Sequence, residues 1–341
     1  MINFWNRLKR ANRPACVSLV LLLLLYLAAL LADFIAPYPY DSQFREYSLC
    51  PPTRIHFFDR DGRFHWRPFV YRIAIVNPAL KEYQEDFSTR YEIMFFPSGG
   101  RRLFGVAPEG KIFLFGTDLH GRDVFSRVLH GARISLSIGL IGVSISFFLG
   151  LLIGGISGYI GGRLDTVLMR LVEIIMTFPG FYLLLALRAA FKPNISSLQL
   201  YLLIVVIMSL IGWASLARVI RGMVLSLKEE EFVMASRALG LSSFRIITRH
   251  ILPNTFSYTI TALTLSIPGY ILGESTLSLL GLGIQEPYPS WGNMLSICVG
   301  NLRILTGAPW MLIPGGCIFL TVICFNFLGD GLRDVLDPKN W

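Results

Sequence analysis

The chain has 341 residues, 53% of them hydrophobic and 16% charged, with a mean hydropathy of +0.56; soluble domains carry about a quarter charged residues, so an ordinary water-soluble enzyme or binding module is excluded. The formal net charge of +9 reads as the bias of Lys and Arg toward the cytoplasmic side of a membrane protein, and not as a nucleic-acid footprint. Cys16, Cys50, Cys298, Cys317 and Cys324 form no CxxC or Cys/His cluster, which removes zinc and redox-motif readings.

At the N-terminus, Arg7, Lys9, Arg10 and Arg13 precede an apolar run over 15–32. A bilayer core about 30 Å thick takes about 20 helical residues. The run is long, and Asp33-Phe34-Ile35-Ala36-Pro37 offers no small-residue cleavage site. It is therefore read as an uncleaved first span over 15–36, with residues 1–36 forming a cytoplasmic tail and first helix.

The segment 37–132 is the least hydrophobic part of the chain. Aromatic and polar residues alternate around Asp61-Gly62, a hairpin signal. A second hairpin is expected between 103–106 and 111–115 across Ala107-Pro108-Glu109-Gly110. A small β-rich extracytoplasmic insertion follows from these signals. Cys50 and Cys298 are a candidate disulfide there if both face an oxidising compartment. The GxxxxGK spacing from Gly105 to Lys111 is rejected as a phosphate loop, because Ile112 stands where Ser or Thr should hold magnesium and Pro108 belongs to a turn.

Further spans are expected between Arg133 and Arg163, and over 171–187, 198–217, 256–280 and 309–329. The fold class is thus an all-α polytopic membrane protein with six transmembrane helices. Placing the N-terminus inside puts fourteen Lys and Arg on the cytoplasmic side and three, Arg188, Lys192 and Arg303, opposite. That asymmetry sets both termini in the cytoplasm, the long loop after the first span being exempt. Within the second span, Gly150, Gly154, Gly158 and Gly162 recur at every fourth position, a stripe that lets another helix approach closely.

The cytoplasmic loop 229–254 reads as a helix, a stop at Gly240, a cap at Ser242 and a second helix ended by Pro253. Phe244, Ile247 and Ile251 share one face of the second helix. Acids before the first helix and bases after it suit both dipoles. A protruding amphipathic helix pair either lies on lipid or docks into a partner.

This loop resembles the EAA loop of binding-protein-dependent ABC permeases. Ala235, Gly240, Leu252 and Pro253 match that pattern, while Met234, Ser236 and His250 depart from it. Ala-Ser-Arg-Ala-Leu-Gly at 235–240 and His-Ile-Leu-Pro-Asn at 250–254 are similar to the oligopeptide/dipeptide/nickel branch. Further ordered matches run from Gly116-Thr117-Asp118 and Gly121-Arg122-Asp123 to Leu328-Gly329-Asp330 and Leu336-Asp337-Pro338, covering 113–341 and resembling its C-type subunit. The resemblance implies a type I importer permease core over 133–341, and a coupling loop whose Ala235, Ser236, Gly240, His250, Leu252 and Pro253 meet the ATPase. It also implies partners: a homologous second permease, two ABC ATPase subunits that use ATP and Mg, an extracytoplasmic solute-binding protein, and membrane lipid. No cofactor, metal, catalytic residue or nucleic acid is expected for this chain itself. The long 37–112 loop departs from short-looped members. Peptide is the implied cargo, with nickel, opine or sugar-like solutes open.

Glu274, near the end of the fifth expected span, is either a transport-pathway carboxylate or a structural one bonded to a neighbouring loop. Glu173 is expected to pair with Arg170 three residues earlier. His250 is assigned to the loop surface. Two other classes compete: an ion-coupled secondary transporter, which would show inverted repeats and broken midplane helices, and a membrane sensor, which would carry a cytoplasmic output domain. No nucleophile–base or metal constellation supports an enzyme.

Overall fold

The computed structural model describes residues 12–78, 81–190 and 196–336. Arg7, Lys9, Arg10, Lys192, Lys339 and Asp337-Pro338, used above, lie outside the described residues. The chain forms α1 (Arg13–Leu30), strands β1 (His56–Phe58), β2 (Phe64–Asn77), β3 (Glu82–Glu92), β4 (Met94–Phe95) and β5 (Phe104–Gly105), and then helices. These are α2 (Val124–Ile160), α3 (Gly162–Thr177), α4 (Gly180–Ala189), α5 (Ser197–Leu227), α6 (Glu231–Ala238), α7 (Phe256–Leu279), α8 (Trp291–Val299), α9 (Leu302–Gly307) and α10 (Ile313–Leu336).

Among the described residues, α1, α2, α5 and the stretch Pro309–Leu336 are long and apolar enough to cross a bilayer. The expected third span is broken: α3 and α4 bend by 87°. Phe178 is extended at φ −79°, ψ 132°, because the ring of Pro179 excludes the preceding residue from helical geometry. The expected fifth span is α7, a helix of 24 residues, about 36 Å long. Its Ser, Thr and Tyr residues and Glu274 make it less apolar than the other four. Length and composition thus qualify four spans, or five with the bent pair, and not the six expected.

The chain divides into two compact units. The first holds residues up to Leu22, Ser137–Leu277 and those from Leu320. Its organising contact is α2 against α5. A Cβ placed on Gly154 would come within 2.5 Å of the Ala217 carbonyl oxygen, and one on Gly158 within 2.8 Å of the Arg221 carbonyl oxygen. Only hydrogen at those positions lets the two backbones meet. Gly162 does not belong to this stripe, since it has φ +63° and starts α3. Around the contact, Leu151, Ile220, Val224, Val233, Ile246 and Ile251 form one buried cluster, and Val172, Trp213, Ala214 and Ala217 another. Asp165 of α3 receives Arg221 of α5 through Nε and Nη2, the latter at 2.6 Å, and also accepts from Ser157. Arg170 pairs with Glu173 on the surface at 2.7 Å, as the spacing predicts.

The second unit holds Leu23–Leu136 and Ser278–Phe319. Its antiparallel sheet has the order β1-β2-β3. The β1–β2 turn falls at the Asp61-Gly62 signal, where Asp59 Oδ1 accepts from the amides of Asp61 and Arg63. The second hairpin is different from the one expected. β5 pairs with β4, whereas 111–113 is pinned elsewhere: Phe113 N donates to Thr53 Oγ1 (2.9 Å), Thr53 N to the Phe113 carbonyl (2.8 Å) and Ile112 N to the Tyr38 hydroxyl (3.0 Å). The turn at Ala107–Gly110 is present, with Gly110 N donating to the Ala107 carbonyl, but it redirects the chain instead of closing a ladder. Val124, Val128, Met294, Cys298 and Met311 form a core here. Cys50 and Cys298 are both buried free thiols, so the candidate disulfide is not formed.

The α2–α5 contact yields a paired test. Gly154→Ala forces the two backbones apart and lowers the thermal stability of the solubilised protein by about 1–3 kcal/mol, the usual cost of overpacking. Gly222→Ala on α5, with nothing within 4 Å of the added carbon, leaves stability unchanged or raised. Thermal unfolding in detergent distinguishes the two.

Candidate functional site

Two features of the first unit are candidates for function: the 229–254 loop and a cavity between helices. In the loop, α6 ends in a Schellman motif. Gly240 N donates to the Arg237 carbonyl (2.9 Å) and Leu241 N to the Ser236 carbonyl (3.2 Å). Gly240 has φ +74°, a left-handed conformation that glycine enters without a Cβ penalty. Glu231 in the first turn and Arg237 in the last suit the helix dipole.

Beyond Gly240 the chain differs from the expected second helix. Ser242 stands at the N-cap position with extended backbone, but its hydroxyl makes no capping bond; its carbonyl accepts from Ile246 N. One α-turn, Ser243–Ile246, widens into a π-turn over Ile247–Ile251, and a 3₁₀ turn over Leu252–Thr255 runs directly into α7. Pro253 therefore does not end the helix. Proline cannot donate, and in regular α geometry its ring strikes the carbonyl four residues back. The wide turn, with Leu252 N donating to the Ile247 carbonyl, moves the carbonyl four residues back out of the ring's way, and Pro253 falls in the first turn of the 3₁₀ segment, where its missing N–H is tolerated. The coil radius changes while helical continuity is kept.

The buried face of this segment is Ile246, Ile247 and Ile251; Ile247 and Ile251 share it as expected, and Phe244 does not. Ile247 and Leu252 meet α2 at Gly155, each 3.4 Å from where a Cβ would stand. Phe244 instead points outward at 73% exposure, and Leu239 at 82%. Ala235 and Pro253 are exposed, His250 and Leu252 half-buried, and Ser236 buried with its hydroxyl donating to the Phe232 carbonyl at 2.8 Å. The six predicted loop residues thus lie on one segment with two roles. Leu252 seats it against α2 and Ser236 is bonded within α6, while Ala235, Gly240 and Pro253 belong to its exposed side and His250 lies between. Sequence reading missed Leu239, which the Schellman turn presents, and Arg237, whose guanidinium lies 4.8 Å from the Tyr159 ring centroid and donates to that hydroxyl.

The cavity, of about 560 Å³, is walled by α2, α4, α5 and α7. Its lining includes the hydroxyls of Ser146, Ser215, Tyr258, Ser266 and Tyr270 and no charged side chain. Ser146 Oγ donates to the Ser209 carbonyl (2.9 Å) and bonds the Tyr270 hydroxyl, while Ser209 Oγ reaches the Gly142 carbonyl (3.0 Å). These bonds tie α2, α5 and α7 together at one wall. Gly273 lines the cavity; Glu274 is fully buried and does not.

A third feature, in the second unit, joins motif residues that sequence reading left separate. Asp118 Oδ1 accepts from the amides of His120 and Arg122, and Oδ2 accepts Arg122 Nε at 2.6 Å. Arg122 and Arg127, both nearly fully buried, converge on Glu286, with Arg127 Nη2 to Oε1 at 2.9 Å. Glu286 lies more than 150 residues away in the chain, beyond the reach of local spacing. Asp123 caps α2: its Oδ2 accepts from Ser126 N (2.8 Å) and Ser126 Oγ (2.6 Å). Burial pushes the Asp123 carboxyl up to about 7. Among the described residues, no group of His, Cys, Asp and Glu is placed to hold a metal ion.

Residues 150–341 match the family model described as "Binding-protein-dependent transport system inner membrane component". Residues 1–52 match "N-terminal TM domain of oligopeptide transport permease C". The dipeptide transport system permease protein DppC of Bacillus subtilis (strain 168) is 39% identical over 272 residues, 80% of this chain and 79% of the relative. The oligopeptide transport system permease protein OppC of Haemophilus influenzae is 45% identical over 241 residues, 70% of this chain and 74% of the relative. A crystal structure of an amino acid ABC transporter overlaps 61% of this chain and 92% of its own, with a TM-score of 0.45 at 17% identity.

Asp123 provides a pH test. Its folded pKa lies above the unfolded value, so the folded state binds the extra proton. The associated stabilisation is complete below the ordinary carboxyl range and is lost as pH rises through about 7. The stability of the wild type relative to Asp123→Asn therefore declines between pH 4 and 8, whereas a solvated carboxylate would give a flat difference. Parallel unfolding curves across that range measure it.

Proposed function

The chain belongs to the family of inner membrane components of binding-protein-dependent transport systems, in the branch of the C-type peptide permeases, and from that premise we propose that it is the C-type permease of an ATP-driven peptide importer. Members of this family are transport subunits and not enzymes, and the chain is a multi-pass inner-membrane protein. In this reading it supplies half of the translocation path and a homologous permease the other half. Two ATPase subunits bind and hydrolyse ATP with Mg, and an extracytoplasmic solute-binding protein delivers the cargo. Both termini and the 229–254 loop face the cytoplasm; the 37–132 insertion lies outside. α7 completes the set of spans, with Tyr258, Ser266 and Tyr270 turned toward the cavity. The chain binds no cofactor and no nucleic acid.

The reading rests on the loop and what it is joined to. Leu239 and Phe244 flank the Gly240 turn as exposed apolar side chains, the anchors a partner cleft would bury. From Phe244 the backbone stays helical into α7, whose Ala262, Ser266 and Gly269 line the cavity. Displacement of the loop by a closing ATPase pair is thereby carried along hydrogen-bonded backbone to a cavity wall. The wall suits a peptide of variable side chains: hydroxyls both donate to and accept from backbone amides, and an uncharged lining imposes no fixed charge selection.

Gly240 tests the coupling role. Nothing lies within 4 Å of a Cβ added there, so substitutions act through φ alone. Gly240→Val strains the left-handed turn by about 1–3 kcal/mol, while Gly240→Asn tolerates it. Gly240→Val is expected to insert normally, lose ATPase co-purification and lose uptake; Gly240→Asn keeps all three. Wild-type uptake by Gly240→Val, at equal membrane abundance, contradicts the assignment.

A further inference from the structure

The C-terminal end of α1 carries a structure that the transport role does not use. Leu23, Leu24, Leu27 and Leu30 are exposed along α1, as the lipid-facing side chains of a span must be. Just past that row, Phe34 holds the β4–β5 ribbon. Leu103 N donates to the Phe34 carbonyl (2.7 Å), and Phe96 N to the Leu103 carbonyl (3.0 Å). The Arg102 guanidinium donates to the Pro37 carbonyl. The Phe34 and Phe96 rings lie 6.2 Å apart. The ribbon is thereby fixed beside the point where the helix leaves the bilayer.

Its apolar side chains are turned outward. Met94 is exposed, Phe95 is 62% exposed and Phe96 58%. Phe96 also has φ 54°, ψ 46°, a left-handed conformation that is an outlier for a bulky residue. Strained backbone that persists while displaying a phenyl ring is expected where the ring meets something. The occupant follows from continuity: the patch extends the lipid-facing row of α1 at the depth where a span ends. There, aromatic rings settle at the acyl–headgroup boundary. Arg101, exposed beside the ribbon, can reach lipid phosphate.

We propose that Met94, Phe95 and Phe96 form a membrane-surface anchor, in which the β4–β5 ribbon dips into the phospholipid leaflet beside the end of α1. The anchor would fix how the second unit is held against the bilayer, a constraint additional to the span itself. It rests on α1 crossing the membrane and on no assumption about cargo.

The test is spin labelling of the assembled transporter in phospholipid nanodiscs. Cysteines are placed singly at Leu27, Phe95 and Asp61, and labelling of the unsubstituted chain gives the background. Collision with oxygen, which concentrates in lipid, is compared with collision with a water-soluble nickel chelate. The proposal expects a lipid-type ratio at 27, a ratio at 95 that is several-fold above that at 61 but shallower than at 27, and an aqueous ratio at 61. An aqueous ratio at 95 beside a lipid ratio at 27 overturns it. So does protection of 95 from both reagents, which would mean that protein covers the patch. An aqueous ratio at 27 removes the premise, a failure separate from that of the anchor.

Discussion

The first unit depends on one close approach. Where α5 meets α2, the glycines at 154 and 158 bring backbone to backbone, with no space for a Cβ. That contact sets Ile220 and Val224 beside Leu151, and the same cluster takes in Val233, Ile246 and Ile251 from the loop. The neighbouring Gly155 gives Ile247 and Leu252 their seat. A wider α2–α5 spacing would therefore loosen the loop as well as the helix pair. The loop is held by the transmembrane core and is presented outward by its own turn.

From the loop the constraint passes into α7. Ordinary α-helix cannot pass Pro253 without a lost bond and a clash. The chain meets that by changing its helical radius twice within nine residues, Ile247–Thr255. A break at this point would separate the loop from the cavity wall; the π and 3₁₀ turns keep the backbone between them helical. Tyr270, farther along α7, bonds Ser146 and the Met208 carbonyl (3.3 Å). The helix into which the loop runs is thus latched to both of its neighbours by hydroxyl bonds.

The sequence made much of this legible. Repeated glycines located the face of α2 that another helix approaches, because close approach has one cheap solution, but not that α5 is that helix. Gly240 located the end of α6 because a left-handed residue there favours glycine. Asp61-Gly62 located the β1–β2 turn. Other features depended on information that is not local. Pro253 reads as a stop under any local rule, and the wide turn that accommodates it is stabilised by Ile247 and Ile251 meeting α2 and α5. Phe244 does not share the buried face of Ile247 and Ile251, because the change from α-turn to π-turn at Ile247 breaks the 3.6-residue periodicity on which that reading rested. The pairing of β5 with β4 was hidden because a two-residue ladder carries no alternation. Glu286 could not be tied to Arg122 and Arg127 by spacing, although two buried arginines required a carboxylate from somewhere. The 87° bend at Phe178-Pro179 was signalled by the proline, but a hydropathy window averages across it.

The central claim is that the loop and the first part of α7 move as one body that reshapes the cavity. Paired spin labels at Phe244 and Ser266, and separately at Phe181 and Ser266, report it directly by dipolar distance measurement. The assembled transporter would be measured without nucleotide and with ATP trapped. The account predicts an unchanged 244–266 distance, because helical backbone links the two, together with a changed 181–266 distance across the cavity. A 244–266 distance that shifts while 181–266 stays constant would mean that the loop hinges independently of α7, and would contradict the account.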